Sequence, residues 1–193
     1  MAKKTPDTEI KARIYNAARR LFVEKGYYQT SIPDIVKEAG VSIGAIYHHF
    51  SSKEDLARVI HQDALAQFLD RYDRHVESVV RAEDKVRGFV RFMFEWADED
   101  LIMVNYLLHG RPQEILEYNF TICSAEGLEA VKKIVVTGIE EGTFKKGDEV
   151  LMAAFISGPI MRLIELKTDG IITAPLSSLA EETAEYILAA LKA

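Results

Sequence analysis

The sequence has 193 residues, of which 48% are hydrophobic and 28% are charged, and its formal net charge is -6 at pH 7. This composition is typical of a folded globular protein and excludes a disordered chain, while a single cysteine, Cys123, excludes an internal disulfide. The most apolar run, 150–164, is too short to span a bilayer, and the polar N-terminus lacks a signal peptide's apolar core. We therefore expect a cytoplasmic protein with no membrane partner and with either one large domain or two smaller ones.

Apolar residues recur every three to four positions along almost the whole chain, and this period predicts an all-α fold of about nine helices. Ser31 can cap a helix together with Asp34 three positions later, and Gly26 and Gly40 are typical residues at helix ends. The expected helices cover about 8–25, 32–39, 43–49, 52–80, 84–97, 100–109, 112–141, 148–167 and 178–191.

Two of these helices, 32–39 and 43–49, are short and are joined by a tight turn containing Gly40, as in a DNA-reading helix-turn-helix. Spacing alone does not separate this motif from an ordinary helix corner. The charge distribution favours the DNA-binding interpretation, because residues 1–62 carry ten Lys or Arg against seven Asp or Glu. Residues 63–193 carry fourteen against twenty-three, so the N-terminal end is the one suited to phosphate.

The segment 26–56, GYYQTSIPDIVKEAGVSIGAIYHHFSSKEDL, resembles the N-terminal signature of the TetR family of repressors. The match is ungapped and dense, and the rest of the chain resembles the family only in its helical plan. The matching residues are Gly26, Tyr27, Thr30, Ser31, Asp34, Ile35, Ala39, Gly40, Val41, Ser42, Gly44, Ile46, Tyr47, Phe50 and Ser52 to Leu56. The resemblance implies a three-helix DNA-binding domain over 1–52 and a helical effector-binding and dimerisation domain over 53–193.

The resemblance also implies which side chains contact double-stranded operator DNA. The expected DNA-binding residues are Thr30, Ser42, Ile43, Gly44, Ala45, Tyr47, His48, His49 and Lys53. Ile43, Gly44, Ala45 and Tyr47 match positions that touch base edges, whereas Thr30, His49 and Lys53, again with Tyr47, match positions that grip phosphate. The base-reading positions hold no Arg, Asn or Gln, so we expect modest direct discrimination between sequences.

We considered a metal site at His48 and His49, because imidazole is a common zinc ligand. Adjacent residues of a helix point about 100° apart, and the sequence places no cysteine or acid at ligand spacing from them. We therefore expect no metal and no cofactor. The sequence also contains no catalytic motif, so we do not expect an enzyme.

The helices at 148–167 and 178–191 correspond to the family's dimerisation helices, and both carry extensive apolar surface. A homodimer implies a palindromic operator with half-sites about one duplex turn apart, or a multiple of that spacing. The expected interface residues are Ala154, Gly158, Met161, Leu179, Thr183, Ala184, Ile187 and Leu188.

Aromatic residues and methionines are concentrated on three consecutive expected helices, where they suit a largely apolar small-molecule effector of aromatic or lipid-like character. The candidate effector-binding residues are Phe89, Phe92, Met93, Trp96, Met103, Tyr106, Leu107, His109, Tyr118 and Phe120. Asn105, His109 or Glu117 would orient the effector. We expect a repressor that the effector releases from DNA; the alternative is a DNA-binding regulator without an effector, in which these residues are plain core.

Overall fold

The computed structural model describes residues 6–109 and 125–193 and confirms the all-α prediction, because the described residues form nine α-helices and no strand. The helices are α1 (Pro6–Lys25), α2 (Ile32–Ala39), α3 (Ile43–His49), α4 (Lys53–Tyr72), α5 (Ala82–Glu99), α6 (Leu101–His109), α7 (Ala125–Glu140), α8 (Glu149–Thr168) and α9 (Ala180–Leu191). A π-helical turn, Asp73–Glu77, continues α4, and a 3₁₀ turn, Leu176–Leu179, precedes α9. None of the described helices is both long and apolar enough to cross a membrane.

Local capping chemistry fixes the ends of the short N-terminal helices. Ser31 and Asp34 form the expected capping box at the start of α2, and the Ser42 hydroxyl accepts the Ala45 amide at the start of α3. Gly26 and Gly40 follow α1 and α2 with φ of 84° and 62°, a conformation that glycine adopts without steric cost. These caps explain why both short helices lie where the sequence predicted.

Helix α1 packs against α2 and α3 on one side and against α4 and α6 on the other, so the described residues share one continuous hydrophobic core. Polar contacts reinforce this position. Arg19 forms an ion pair with Asp100, which precedes α6, and the Tyr15 hydroxyl donates a hydrogen bond to Asp63 of α4. Helices α4 and α6 therefore both contact the helix that supports α2 and α3.

Helix α5 is the central helix of the C-terminal part and contacts α6, α7, α8 and α9. Its side chains are buried on most faces; they include Val86, Phe89, Val90, Phe92, Met93, Phe94 and Trp96. Gly88 allows the π-helical turn to lie directly on α5, because a Cβ at this position would collide with the carbonyl oxygen of His75. The end of α4 is thus held close against the centre of the molecule.

Candidate nucleic-acid interface

Arg13 of α1 fixes the turn between α2 and α3. Its Nη2 atom donates hydrogen bonds to the carbonyl oxygens of Ala39, at 2.6 Å, and Gly40, at 2.7 Å. Behind the turn, Ile46 of α3 and Ile35 of α2 are fully buried. A buried apolar stripe and a two-pronged guanidinium contact therefore set the position of α3.

The opposite face of α3 points to solvent. Ser42, Gly44 and His48 are exposed, and Ile43 and Tyr47 retain 54% and 53% of their accessible surface. Large apolar or aromatic side chains that stay this exposed at the tip of a small helical unit are typical of a contact surface. Ala45 is half-buried. The structure thus brings three of the four expected base-reading residues, Ile43, Gly44 and Tyr47, to one exposed face, and their contact with DNA remains a prediction.

Gly44 is not required by the fold. Its φ lies outside the left-handed region, and a Cβ built there would meet only the Ser42 Oγ atom, at an ordinary distance of 3.8 Å. Because a helix is more stable with alanine than with glycine, the subunit gains nothing from this glycine. The exposed backbone at Gly44 is open to a close approach from outside.

Thr30 and Lys53, both expected to grip phosphate, instead hold the domain together. The Thr30 side chain is buried and its Oγ1 donates to the carbonyl oxygens of Gly26, at 2.8 Å, and Leu21, at 3.2 Å. The Lys53 ammonium donates to the carbonyl oxygens of Tyr27 and Thr30 at 3.1 and 3.0 Å. It also lies 4.0 Å from the centroid of the Tyr27 ring. Both groups are therefore committed to contacts within the subunit, and their contact with phosphate remains a prediction.

His48 and His49 converge on an acid that the sequence did not connect with them. The Oδ1 atom of Asp7, in the first turn of α1, lies 3.6 Å from His48 Nε2 and 3.5 Å from His49 Nε2. Asp7 and His48 have exposed side chains, whereas the His49 side chain is only 7% exposed. No acid stands at ligand spacing from these histidines along the sequence, but the fold brings Asp7 within reach of both.

The expected dimer residues divide into two groups. Ala154 and Gly158 of α8 are exposed and Met161 and Leu179 are half-buried. Four α9 residues, in contrast, lie within the subunit's own core: Thr183, Ala184, Ile187 and Leu188.

Those four α9 side chains are a correction to the expected interface. Helix α9 packs against α5 with its apolar stripe facing inward, and Arg87 of α5 forms ion pairs with Glu181 and Glu185 at the edge of this contact. The large hydrophobic side chain that α9 exposes is Tyr186, at 69% exposure, on the same helix as the exposed Ala189 and Ala190. Helix α8 adds Leu151 and Phe155 at 58% and 53% exposure.

The described effector candidates lie deep in the core. Those that are buried lie on α5 and α6: Phe89, Phe92, Met93, Trp96, Met103, Tyr106 and Leu107. His109 is the last residue of α6, and Tyr118 and Phe120 lie outside the described residues. Asn105, an expected polar handle, already donates from Nδ2 to the Leu101 carbonyl at 2.9 Å and the Thr168 hydroxyl at 2.8 Å.

Sequence reasoning missed a buried polar residue in this region, His61 of α4. Its residue exposure is 3%, its Nε2 atom has no hydrogen-bond partner, and burial lowers the pKa of its imidazole. The indole Nε1 of Trp96 is likewise buried without a partner, and the Arg71 guanidinium lies 5.3 Å from its ring centroid. The sequence did indicate this burial, because His61 lies on one apolar stripe of α4 with Ala57, Ala64 and Phe68.

A short, solvent-facing helix fixed at its turn and supported by a three-helix unit defines the class of protein, a helix-turn-helix DNA-binding protein. The family model for "Bacterial regulatory proteins, tetR family" matches residues 14–60, which span this unit. The Fatty acid metabolism regulator protein of Bacillus subtilis is 27% identical over 143 residues, or 73% of this chain and 74% of that one.

Solved structures share the whole architecture. The ketosteroid transcriptional regulator KstR2 of Mycobacterium tuberculosis aligns with a TM-score of 0.78 and 21% identity over 95% of each chain. The transcriptional regulator FadR of Bacillus subtilis, solved in complex with stearoyl-CoA, aligns with a TM-score of 0.67 and 23% identity over 93% of this chain and 98% of that one. Residues 14–60 thus carry the DNA-binding unit of the TetR family, and the relatives that the chain resembles are transcriptional regulators.

Proposed function

We propose that this protein is a cytoplasmic homodimeric repressor that binds a palindromic operator through α3 and is released by a largely apolar small molecule. In this proposal residues 1–52 bind DNA and residues 53–193 bind the effector and the second subunit. The observation that carries it is the α3 face, where Ile43, Gly44 and Tyr47 stand exposed on a unit held by Arg13. The base contacts would be apolar, to thymine methyl groups, with one phenol.

The proposed dimer surface comprises the outward faces of α8 and α9. It presents Leu151, Phe155 and Tyr186 around the small exposed residues Ala154 and Gly158. A Cβ at Gly158 would meet no atom of its own subunit within 4 Å, so this part of α8 is open to a neighbour. Because two antiparallel helices from each subunit bury such a face as a four-helix bundle, the occupant we propose is a second copy of this chain.

The proposed effector lies between α4, α5 and α6. Its surroundings are aromatic: the Phe68 and Phe92 ring centroids are 5.8 Å apart, and those of Phe89 and Phe92 are 5.3 Å apart. The unpartnered His61 and Trp96 nitrogens would supply polar contacts in this apolar setting. Because a relative bears the name of fatty acid metabolism and a structural neighbour holds stearoyl-CoA, a long-chain acyl thioester is the first effector to test.

Release follows from the packing of α4. The Tyr106 hydroxyl of α6 donates to the Ala57 carbonyl of α4 at 3.3 Å, and α4 also packs on α1. An effector that separates α4 from α5 and α6 would move the DNA-binding unit and change the spacing of the two α3 helices. The free energy available to release DNA equals the difference between the effector's binding free energies for the two conformations, one with each spacing of the α3 helices.

The test is fluorescence anisotropy with DNA from upstream of the gene, for the wild-type protein and Tyr47→Ala, with Val80→Ala, an exposed position outside α3, α8 and α9, as the control. Tight binding that Tyr47→Ala weakens and Val80→Ala retains would support the proposed DNA contact. Equal binding by wild type and Tyr47→Ala to selected high-affinity DNA would refute it.

The effector arm is tested by titrating stearoyl-CoA into the protein–DNA complex while recording the fluorescence of Trp96, the single tryptophan. Release of DNA with a change in emission would support an acyl effector next to Trp96. A ligand that binds only the folded state must stabilise it. If no compound in a panel of acyl thioesters and steroids releases DNA or raises the melting temperature, the result would favour the regulator without an effector.

A further inference from the structure

The DNA-facing end of the molecule contains a cluster of three potential metal ligands, Asp7, His48 and His49. Their ligand atoms all lie within 4.8 Å of one another, and the described residues contain no other such group of three His, Cys, Asp or Glu. We propose that these residues form a site for a divalent transition metal, of which Zn²⁺ is the first candidate, and that its occupancy raises affinity for DNA. The effect on DNA rests on the proposed function; the metal site does not.

The geometry suits a small tetrahedral ion. Ligand atoms about 2.0–2.1 Å from zinc stand roughly 3.4 Å from each other in a tetrahedron. The two distances from Asp7 Oδ1, 3.6 Å to His48 Nε2 and 3.5 Å to His49 Nε2, are within tenths of an ångström of that value. Closing the remaining histidine-to-histidine edge requires the His48 ring to turn, and its side chain is free to do so at 72% exposure.

The donor set selects the class of ion. Two imidazole nitrogens and one carboxylate oxygen are ligands for Zn²⁺, Cu²⁺, Ni²⁺ or Co²⁺, whereas Mg²⁺ and Ca²⁺ prefer oxygen ligands alone. The His49 side chain, 7% exposed and packed beside Phe50 with ring centroids 6.4 Å apart, provides a fixed ligand from α3. Asp7 and His48 complete the site from the outside and leave a fourth position open to solvent.

The position of Asp7 gives the site a consequence for DNA. A carboxylate beside His48 and His49, where the DNA backbone is expected, repels phosphate. A divalent cation bound to Asp7 converts the local charge from -1 to +1 and ties the start of α1 to the end of α3. Metal binding would therefore both remove a repulsion and fix the orientation of two elements that meet the duplex.

The experiment uses full-length protein from which any polyhistidine tag has been removed. Zn²⁺ is titrated by calorimetry, and Co²⁺ is titrated while its visible d–d absorption is recorded, with no DNA present. We expect one ion per subunit, and a loss of affinity of about tenfold or more in Asp7→Asn and His48→Gln, both at exposed positions. Asp70→Asn and His75→Gln, which make the same chemical changes elsewhere, should bind like wild type.

The DNA measurements form a second arm. With EDTA, Asp7→Asn should bind DNA more tightly than wild type, because it lacks the repelling charge; Zn²⁺ should strengthen wild-type binding and leave Asp7→Asn unchanged. No saturable binding of Zn²⁺ or Co²⁺ up to about 1 mM, or binding that persists in both Asp7→Asn and His48→Gln, would overturn the metal site. Metal binding without any effect on DNA affinity would overturn only its role in DNA binding.

Discussion

Lys53→Met separates a structural lysine from a phosphate-binding one, because methionine keeps most of the apolar stem and removes the charge. The Lys53 ammonium donates to two backbone carbonyl oxygens, those of Tyr27 and Thr30, and lies on the Tyr27 ring. These contacts join the start of α4 to the loop before α2. The variant loses all three and leaves two carbonyl oxygens without their charged donor.

The expected cost follows from the partial exposure of this site. Hydrogen bonds to a charged group contribute about 1.5–3 kcal/mol each when well protected, and an exposed cation–π contact contributes about 0.5–1 kcal/mol. Water replaces part of both in the variant, so we expect a total loss of about 1–2 kcal/mol. In a chain of this size that lowers the melting temperature by roughly 2–8 °C.

The assay combines thermal unfolding with a salt series of DNA binding, and Lys37→Met, at an exposed position of α2, is the matched control. Lys53→Met should lose stability while the slope of log affinity against log salt stays at the wild-type value. Lys37→Met should stay within about 0.5 kcal/mol of wild-type stability. Wild-type stability of Lys53→Met with a slope reduced by about one would show a phosphate contact and refute the structural role.

Other substitutions test the remaining surfaces. Gly44→Ala should stabilise the protein by about 0.5 kcal/mol. The same change should weaken operator binding about tenfold or more, which corresponds to about 1.4 kcal/mol or more. An unchanged DNA affinity in anisotropy would disprove a close approach of DNA to the α3 backbone at Gly44. Phe155→Glu should give folded monomers in sedimentation, whereas Val80→Glu, the same change at an exposed site off α8 and α9, should remain dimeric; a dimeric Phe155→Glu would contradict the proposed interface. Burial lowers the pKa of His61, so the unfolded state takes up the proton first and stability falls as pH drops below about 6.5. His61→Leu should remove this component, at most about 1.4 kcal/mol per pH unit, and an unchanged difference in melting temperature between pH 7.5 and 5.5 would exclude His61 as its source.

Features set by local chemistry were predictable from the sequence. The bounds of α2 and α3 follow from Ser31, Gly40 and Ser42, whose capping and turn preferences act within four residues along the chain. The all-α fold follows from the apolar period, and the exposure of Ile43 and Tyr47 follows from their position on α3 away from the buried Ile46.

Features set by tertiary packing were not predictable. The apolar stripe of α9 fits a subunit core as well as a dimer, and only its packing against the distant helix α5 decides which way it faces. The family signature includes Lys53, but the contacts of the Lys53 ammonium depend on carbonyl groups of a loop that is distant in sequence.

The same limit applies to the metal-ligand cluster. Asp7 lies far from His48 in sequence and reaches it only because α1 crosses beside α3.

The central claim, that two copies of α3 read DNA together, is tested most directly by selecting binding sites from random duplexes with the wild-type protein and with Tyr47→Ala. The account predicts that wild type enriches an inverted repeat with half-site centres separated by about 10 base pairs or a multiple of it, bound by one dimer, and that Tyr47→Ala fails to enrich it. Enrichment of a sequence without two-fold symmetry, or the same inverted repeat recovered equally well by Tyr47→Ala, would contradict it.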